Sequence, residues 1–341
     1  PSSDKDVARL VRKVAVVSSW FVLNISLGSV TKWTFIHGEL CRNGVCHLYR
    51  FPLALTVVHM IFSWAFCYVY LLFVAAKSPK RILGWRQQFA KIMPLASCFA
   101  LSVAMGNSSL KYIYPSFNQM LGAMTPIITV MLSVTISGKR YKNWTWISMP
   151  VICGGLCICS VKEVNFHVFG ALCATGATVL RAVKSIIQGR LLVDPSEKLD
   201  AVTLLFYMAP YAAGLILLIS LWSEGFEPYF LLSLDMDKAQ TYHLLVLLAL
   251  GGMNACLLNV MNFLVTAYTN PVTLQVLGNV KNCLAIMFSV AIFGNALRPI
   301  QAVGIILCLV GVWIENRYGG EAPLAVSSPA VSLPADALEL G

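Results

Sequence analysis

Long uncharged apolar runs separated by short polar segments dominate this sequence. Runs of the roughly 18 residues that a helix needs to span a bilayer occur at 14–31, 51–76, 92–110, 143–161 and 201–223. The uncharged stretch 239–280 is too long for one helix, and Thr269-Asn270-Pro271 marks a turn that divides it. The pattern predicts membrane-spanning helices, not a soluble domain.

Weaker apolar segments near both ends of the second half raise the number of predicted spans to about ten. The composition agrees, because 58% of the residues are hydrophobic, 12% are charged and the mean hydropathy is +0.74. The loops are too short to fold by themselves, so the function must lie within the helix bundle. The predicted spans are near 12–32, 51–75, 92–112, 115–137, 144–161, 168–188, 201–222, 241–267, 271–294 and 299–317.

The predicted fold class is therefore an all-α integral membrane protein of about ten transmembrane helices. Residues 1–11 are expected to form a cytosolic N-terminal segment, 12–317 the ten-helix membrane domain, and 318–341 a disordered cytosolic tail rich in Ala, Pro, Ser and Leu. With the N-terminus inside, the cytosolic segments hold 15 Lys and Arg residues and the opposite loops hold six. This positive-inside bias predicts cytosolic termini. It also accounts for most of the +10 net charge without a nucleic-acid partner.

The cysteines give little information about function. Nine of the 11 lie in predicted spans, where a thiol behaves as a small hydrophobe. Cys41 and Cys46 lie in a loop on the side opposite the cytosol, where they can form a disulfide if that compartment is oxidising. With His47 they lack the fourth ligand of a structural zinc site. We predict no metal and no cofactor.

A repeated segment divides the chain into two halves. Residues 115–122 (PSFNQMLG) and 271–278 (PVTLQVLG) match at Pro, Gln, Leu and Gly, with an offset of 156 residues. The match places the fourth span against the ninth and predicts five-helix halves near 12–161 and 168–317. Because each half has an odd number of spans, the second is inverted. Inverted repeats are typical of secondary transporters whose substrate binds where the halves meet.

Four ionisable residues fall within or at the edge of predicted spans, and all four are cations: Lys111, Arg181, Lys184 and Lys281. Each costs roughly 2.5–3.5 kcal/mol at the centre of a helix in the bilayer. None of the 15 Asp and Glu residues lies deep in a span, so the missing counter-charge is expected from an anionic substrate. Lys281, about ten residues into the ninth span, is the first candidate. Arg181 and Lys184 both stand near the cytosolic end of the sixth span, where snorkelling is an alternative, and Lys184 is the better ligand candidate of the two. For Lys111, near the end of the third span, snorkelling is favoured over binding.

Polar uncharged residues on the fourth, eighth and ninth spans mark the same predicted cavity. Some of them are expected only to join helices, and an aromatic residue at a span end is often interfacial. No Gly-rich phosphate loop and no Ser, His and acid set is present in the spans, which argues against an enzyme. The absence of a membrane carboxylate favours anion exchange over proton coupling. The remaining predicted substrate-binding residues are Asn118, Gln119, Thr125, Asn262, Thr266, Tyr268, Gln275 and Asn282.

Three segments carry a family resemblance: 114–126 (YPSFNQMLGAMTP), 180–189 (LRAVKSIIQG) and above all 273–282 (TLQVLGNVKN). They resemble the nucleotide-sugar and triose-phosphate translocators of the drug/metabolite transporter superfamily, especially the plant-type group close to UDP-uronic acid transporters. The resemblance covers about residues 12–317. It implies ten spans, inverted five-helix halves and exchange of an organic phosphate.

Departures from the family pattern separate its branches. Triose-phosphate translocators follow the ninth-span lysine with arginine and carry a lysine in the fourth span, but this chain has Asn282 and Gly122 there. The resemblance thus implies an antiporter that exchanges a nucleotide sugar, such as a UDP-sugar, for a nucleoside monophosphate in the Golgi or endoplasmic reticulum. A sugar-phosphate or phosphoenolpyruvate/phosphate translocator of the plastid envelope is the alternative. A non-transporting scaffold or receptor is the alternative of another class, and a homodimer in the lipid bilayer is left open.

Overall fold

The computed structural model describes residues 2–42, 45–73, 83–160, 167–194, 198–232, 238–293 and 299–322, which are almost entirely helical. Between the first two helices lies an antiparallel hairpin of β1 (Glu39–Arg42) and β2 (Val45–Leu48). The long helices are α1 (Ser2–His37), α2 (Pro52–Phe73), α3 (Trp85–Ser109), α4 (Pro115–Ser137), α5 (Asn143–Ser160), α6 (Val168–Val193), α7 (Ala201–Ser223), α8 (Lys238–Tyr268), α9 (Pro271–Phe293) and α10 (Pro299–Tyr318).

The helices agree with a multi-pass membrane protein. Within the described ranges, eight of them are long and apolar enough to cross a membrane, namely all except α5 and α9. Helix α5 is apolar over the shorter stretch Asn143–Ile158, and α9 is a helix of 23 residues. The nearly all-helical structure agrees with the predicted all-α membrane fold, whereas the count of ten spans stays a prediction.

Helix α1 extends beyond its predicted span at both ends. It runs over 36 residues, which at about 1.5 Å per residue is roughly 54 Å, well above the ~30 Å of the hydrocarbon core. The helix begins at Ser2, within the predicted N-terminal segment 1–11, and the boundary of the membrane domain at residue 12 stays a prediction. Of the predicted C-terminal tail, residues 323–341 lie outside the described residues.

Helix α4 is interrupted between Gly122 and Thr125. Pro126 lies in the first turn of the second piece, where its missing N–H cannot continue the helical hydrogen bonds of the first. The Thr125 hydroxyl instead donates to the Gly122 carbonyl oxygen at 2.5 Å. Interrupted helices inside membranes occur where other groups satisfy the freed backbone, often beside a binding site.

The helix packing has an exchange symmetry. Replacing each helix by the one five positions along the chain turns the contact of α1 with α8 into a contact of α6 with α3, and both are present. The same replacement turns the contact of α2 with α8 into that of α7 with α3, which is also present. The pairs α2 with α7 and α5 with α10 map onto themselves when each helix is replaced by the one five positions away. This packing is what two equivalent five-helix halves would produce. The inverted relation of the halves itself stays a prediction.

The two ends of the bundle are distinguished by their connections. At what we call the C-terminal face, the ends of α4, α6 and α10 lie beside the starts of α5 and α9. At the opposite end, the hairpin face, the β-hairpin packs on the start of α8. Cys41 is paired with Cys46 in the hairpin register. Their side chains lie outside the described part, so the disulfide stays a prediction.

At the hairpin face, Glu224 at the end of α7 caps the start of α2. Its two carboxylate oxygens each accept a backbone N–H, from Leu53 and Ala54, at 2.8 Å. The Ser220 hydroxyl donates to the same carboxylate at 2.9 Å. These bonds satisfy backbone donors that a helix start leaves unpaired, and the negative charge complements the helix dipole.

Candidate substrate-binding cavity

A cavity of about 380 Å³ lies inside the bundle, between the two predicted halves. Its volume is within the range of about 300–1,000 Å³ that is usual for small-molecule sites. Five helices contribute to its wall: α1, α4, α6, α8 and α9. The lining residues are Trp20, Asn24, Asn118, Gln119, Gly122, Thr125, Arg181, Lys184, Ser185, Asn262, Leu274, Gln275, Gly278, Asn279, Lys281 and Asn282.

Three cations, Arg181, Lys184 and Lys281, converge on this cavity. The Lys281 Nζ donates to Asn24 Oδ1 at 3.2 Å, and the Lys184 Nζ lies 4.9 Å from the centre of the Phe99 ring. Within the part of the chain that the structure describes, no acidic residue lines the cavity. The described lining therefore has a surplus of positive charge, which suits an anionic ligand.

Arg181 reaches across the cavity from α6 towards the break in α4. A methyl group placed on Gly122 would lie 3.5 Å from Arg181 Nη1, and open space otherwise surrounds that position. The absence of a side chain at Gly122 thus leaves room for the guanidinium. Because Arg181, Lys184 and Lys281 line the same cavity with no acidic residue in its described lining, the three cations form one electrostatic group.

Amide side chains complete the polar wall of the cavity. Asn262 Oδ1 accepts a hydrogen bond from Trp20 Nε1 at 2.5 Å, which joins α1 to α8. Asn118 accepts from the Ser109 hydroxyl at 3.2 Å. Neutral donors and acceptors of this kind can bind hydroxyl and carbonyl groups, while the cations bind phosphate.

A layer of contacts closes the cavity towards the C-terminal face. Gln188, which is fully buried, donates to the Thr266 hydroxyl at 2.6 Å and so joins α6 to α8. The ring of Pro271 packs directly on Gly189, where an added Cβ would lie 2.4 Å from Pro271 Cγ. Gln275 also donates to the Ser185 hydroxyl, from α9 to α6. We call these contacts the α6 wall.

Towards the hairpin face the cavity is open. Gln119 lines the cavity and is exposed, as is Pro115 one turn closer to the hairpin face. Their partners in the repeat, Gln275 and Pro271, are half-buried and buried respectively. The two predicted halves are therefore in different arrangements, open at one face and closed at the other.

Most of the predicted site residues line this one cavity. Thr266 and Tyr268 are the exceptions. The Thr266 hydroxyl is buried in the α6 wall, where it donates to the Asn262 carbonyl oxygen at 3.0 Å and accepts from Gln188. Tyr268 lies at the end of α8, beyond that wall. The predicted residues that do line the cavity are Asn118, Gln119, Thr125, Lys184, Asn262, Gln275, Lys281 and Asn282.

The sequence pattern did not single out the contribution of α1. Trp20 and Asn24 belong to a helix with no ionisable residue in its central part, and the packing of α1 on α8 brings them to the site. Arg181 was considered, but its position near a span end favoured snorkelling equally. Lys111, the fourth candidate cation, lies in the turn after α3, is exposed and does not line the cavity.

Comparison with family models gives a match to the Triose-phosphate Transporter family over residues 13–316. Among curated relatives from Arabidopsis thaliana, a probable sugar phosphate/phosphate translocator is 36% identical, covering 92% of this chain and 84% of the relative. UDP-uronic acid transporter 1 is 34% identical, covering 87% and 92%. A GDP-mannose transporter is 30% identical, covering 89% and 84%.

A solved crystal structure of another protein shows the same fold, with a TM-score of 0.61 at 17% sequence identity. The match covers 89% of this chain and 98% of the other. The family match spans nearly the whole helix bundle, including every helix that lines the cavity. From the family match and the relatives together, this chain belongs to the Triose-phosphate Transporter family of membrane transporters.

Proposed function

We propose that this chain is an antiporter that exchanges a nucleotide sugar, specifically a UDP-sugar, for a nucleoside monophosphate by alternating access. The observation that carries the proposal is the convergence of Arg181, Lys184 and Lys281 on one cavity whose described lining contains no acid. The relatives are named as transporters of nucleotide sugars or translocators of sugar phosphates, which supports an organic phosphate as substrate.

The cations are assigned to the diphosphate and the amides to the sugar and base. A diphosphate presents several oxygens that can accept charge-assisted hydrogen bonds from a guanidinium and two ammonium groups. Asn118, Gln119 and Asn262 lie on other parts of the wall, where neutral groups suit hydroxyl and carbonyl partners. A wall of this kind discriminates against a ligand that lacks the matching groups, because the polar side chains of the wall are then buried without hydrogen bonds and binding is weaker.

A sugar-phosphate/phosphate exchanger is the second candidate. The relative at 36% identity carries that name, and the structure adds Arg181 to the two lysines predicted from the sequence. With three cations, the scarcity of positive charge no longer argues against a terminal phosphate. Asn282, where the resemblance implies arginine in triose-phosphate translocators, still favours the larger ligand.

The membrane assigned by the proposal is that of the Golgi or endoplasmic reticulum, with both termini in the cytosol. The UDP-uronic acid, GDP-mannose and UDP-galactose transporters among the relatives support a nucleotide-sugar route of this type. The plastid envelope belongs to the second candidate. Tagging the protein and locating it beside organelle markers tests this assignment.

The central experiment is uptake of labelled nucleotide sugars and sugar phosphates into liposomes preloaded with UMP, GMP or phosphate. Uptake of a UDP-sugar against UMP is expected, with a loss of about 30-fold or more in Lys281→Ala, because an unpaired buried phosphate costs at least about 2 kcal/mol. Lys111→Ala is the matched control, since that lysine is outside the cavity. Uptake only against phosphate would favour the second candidate. Folded protein without any exchange would favour a scaffold or receptor.

A further inference from the structure

A second cavity, of about 340 Å³, lies at the C-terminal face on the other side of the α6 wall. Helix α6 lines both cavities with consecutive residues, Ser185 in the first and Ile186 in the second. On α9, Pro271 lines the second cavity and Leu274 the first. The two linings are therefore about 1.5 Å apart along α6, on different faces of that helix, and about 4.5 Å apart along α9.

The second cavity also carries positive charge. Lys139 from the turn after α4 and Arg190 from the last turn of α6 line it, and Asp194 is the acidic residue of its described lining. The Arg190 guanidinium donates a hydrogen bond from Nη2 to the Ile136 carbonyl oxygen at 3.3 Å. A guanidinium carries five N–H donors in a planar arrangement that suits an anion such as phosphate.

A buried hydroxyl in the same wall has no partner. Ser137 lines the second cavity, and its Oγ is buried without a hydrogen bond within the described structure. Buried hydroxyl groups normally have a partner, so the Ser137 hydroxyl is available to a group that enters this cavity. Together with Lys139 and Arg190, it supplies the donors that an oxyanion requires.

The C-terminal segment already places a carboxylate at this cavity. Glu321, just after α10, pairs with the Lys139 Nζ at 2.5 Å, and the neighbouring backbone forms a bridge between Tyr141 and Glu321. Both side chains of the ion pair are more than a third exposed, at 37% and 39%. Ion pairs this exposed contribute little stability, so another anion can displace the carboxylate.

We propose that the second cavity is a reception site for the phosphate group of the exchanged anion at the C-terminal face, with Glu321 as an internal competitor for Lys139. The proposal rests on the transport function above. With Glu321 bound, the charges of Lys139, Arg190, Asp194 and Glu321 balance, and its release leaves a net positive cavity. Separation of α9 from α6 at Pro271 and Gly189 would then open a direct route to the three cations.

Vesicles of defined sidedness provide the first test. Protein with a C-terminal tag is reconstituted at about one copy per liposome, and capture on the tag separates vesicles with the C-terminal face outside. The KM for external UMP or inorganic phosphate is measured in both populations. Lys139→Gln with Arg190→Gln is expected to raise the KM at least threefold at the C-terminal face alone, and Glu321→Gln to lower it there.

Arg140→Gln is the matched control, because this neighbouring cation is exposed and does not line the cavity. An unchanged KM in the double variant, or an equal change at both faces, would overturn the proposal. Loss of exchange in the wild type would instead contradict the transport function.

A second readout does not depend on transport. Acetylation of Lys139 by a water-soluble reagent is followed by mass spectrometry, with the exposed neighbour Lys142 as internal control. Inorganic phosphate is expected to slow the modification of Lys139 severalfold in the wild type and to have no effect on Lys142. Equal rates for Lys139 with and without phosphate would contradict the reception site even if the protein exchanges anions.

Discussion

Asn279 of α9 donates a hydrogen bond from Nδ2 to the carbonyl oxygen of Ala123 in the break of α4, at 2.9 Å, and the two residues are 156 positions apart. That separation is the offset of the sequence repeat, so helices matched by the repeat contact one another at matched positions. Gly122 and Gly278, the preceding matched pair, both line the cavity. The crossing of α4 and α9 therefore fixes one wall of the site.

Replacing Asn279 with Leu should destabilise the protein without a large change in volume. In the variant, the buried carbonyl oxygen of Ala123 loses the hydrogen bond that the Asn279 side chain donates. The expected decrease in the free energy of unfolding is about 1–3 kcal/mol. Thermal unfolding in detergent measures the loss. Asn282→Leu, at a neighbouring cavity position, is expected to change the unfolding temperature much less. Equal shifts in both variants would show that the hydrogen bond is not what stabilises this crossing.

Removing a cavity cation should not destabilise the empty protein. Arg181 repels Lys184 and Lys281, and no acid in the described lining compensates them. Arg181→Gln and Lys184→Gln are thus expected to unfold at the same or a higher temperature than the wild type when no anion is present.

The same variants should respond less to ligand. A ligand at a concentration of 100 times its Kd raises the free energy of unfolding by about 2.7 kcal/mol. Because the variants are expected to bind the anion more weakly, they should lose most of this stabilisation at the same ligand concentration. Unfolding temperatures with and without UMP or a UDP-sugar measure both effects. A lower unfolding temperature of the empty variants would mean that Arg181 and Lys184 have structural roles.

Glu224→Gln should destabilise the hairpin face. The change removes the negative charge at the start of α2 and one of the two acceptors that bind the Leu53 and Ala54 N–H groups, a loss of roughly 1–2 kcal/mol. Faster hydrogen exchange at the start of α2 and a lower unfolding temperature would both measure this loss of stability. Glu227→Gln, a change at an exposed carboxylate, is the control. Similar behaviour of the two variants would contradict the capping role.

Gly189→Ala should open the α6 wall. The added methyl group would lie 2.4 Å from Pro271 Cγ, so α6 and α9 must separate at the C-terminal face. Labelling of Leu274→Cys, in the cavity wall, by a membrane-impermeant maleimide added at that face is expected to rise severalfold. Gly214→Ala is the control, because open space surrounds that position. Unchanged labelling would mean that this contact does not close the cavity.

Hydropathy was sufficient to place the helices. The spans predicted at 51–75 and 115–137 are found as Pro52–Phe73 and Pro115–Ser137, since run length and loop residues determine where a helix leaves the bilayer. Hydropathy does not report hydrogen bonding within a span. The break at Gly122 was therefore missed, although Pro126 is its local cause.

The cations and amides of the site could be predicted because polar groups in a span are costly and are retained for a purpose. Trp20 and Asn24 could not, since nothing in α1 shows which face meets α8 and α9. Thr266 does not line the cavity for a related reason. Its hydroxyl is on a polar stripe, but it is used in joining α8 to α6 through Gln188.

The surplus of positive charge in the main cavity has a consequence for the coupling of flux. If the open face closed around an empty cavity, Arg181, Lys184 and Lys281 would be enclosed without a counter-ion, and enclosing unpaired charges is strongly unfavourable. A bound anion would remove that barrier, so the proposed antiporter is expected to return readily only when loaded. The positive charge alone would then suppress the return of the empty carrier. A one-for-one exchange stoichiometry would need no additional gating element.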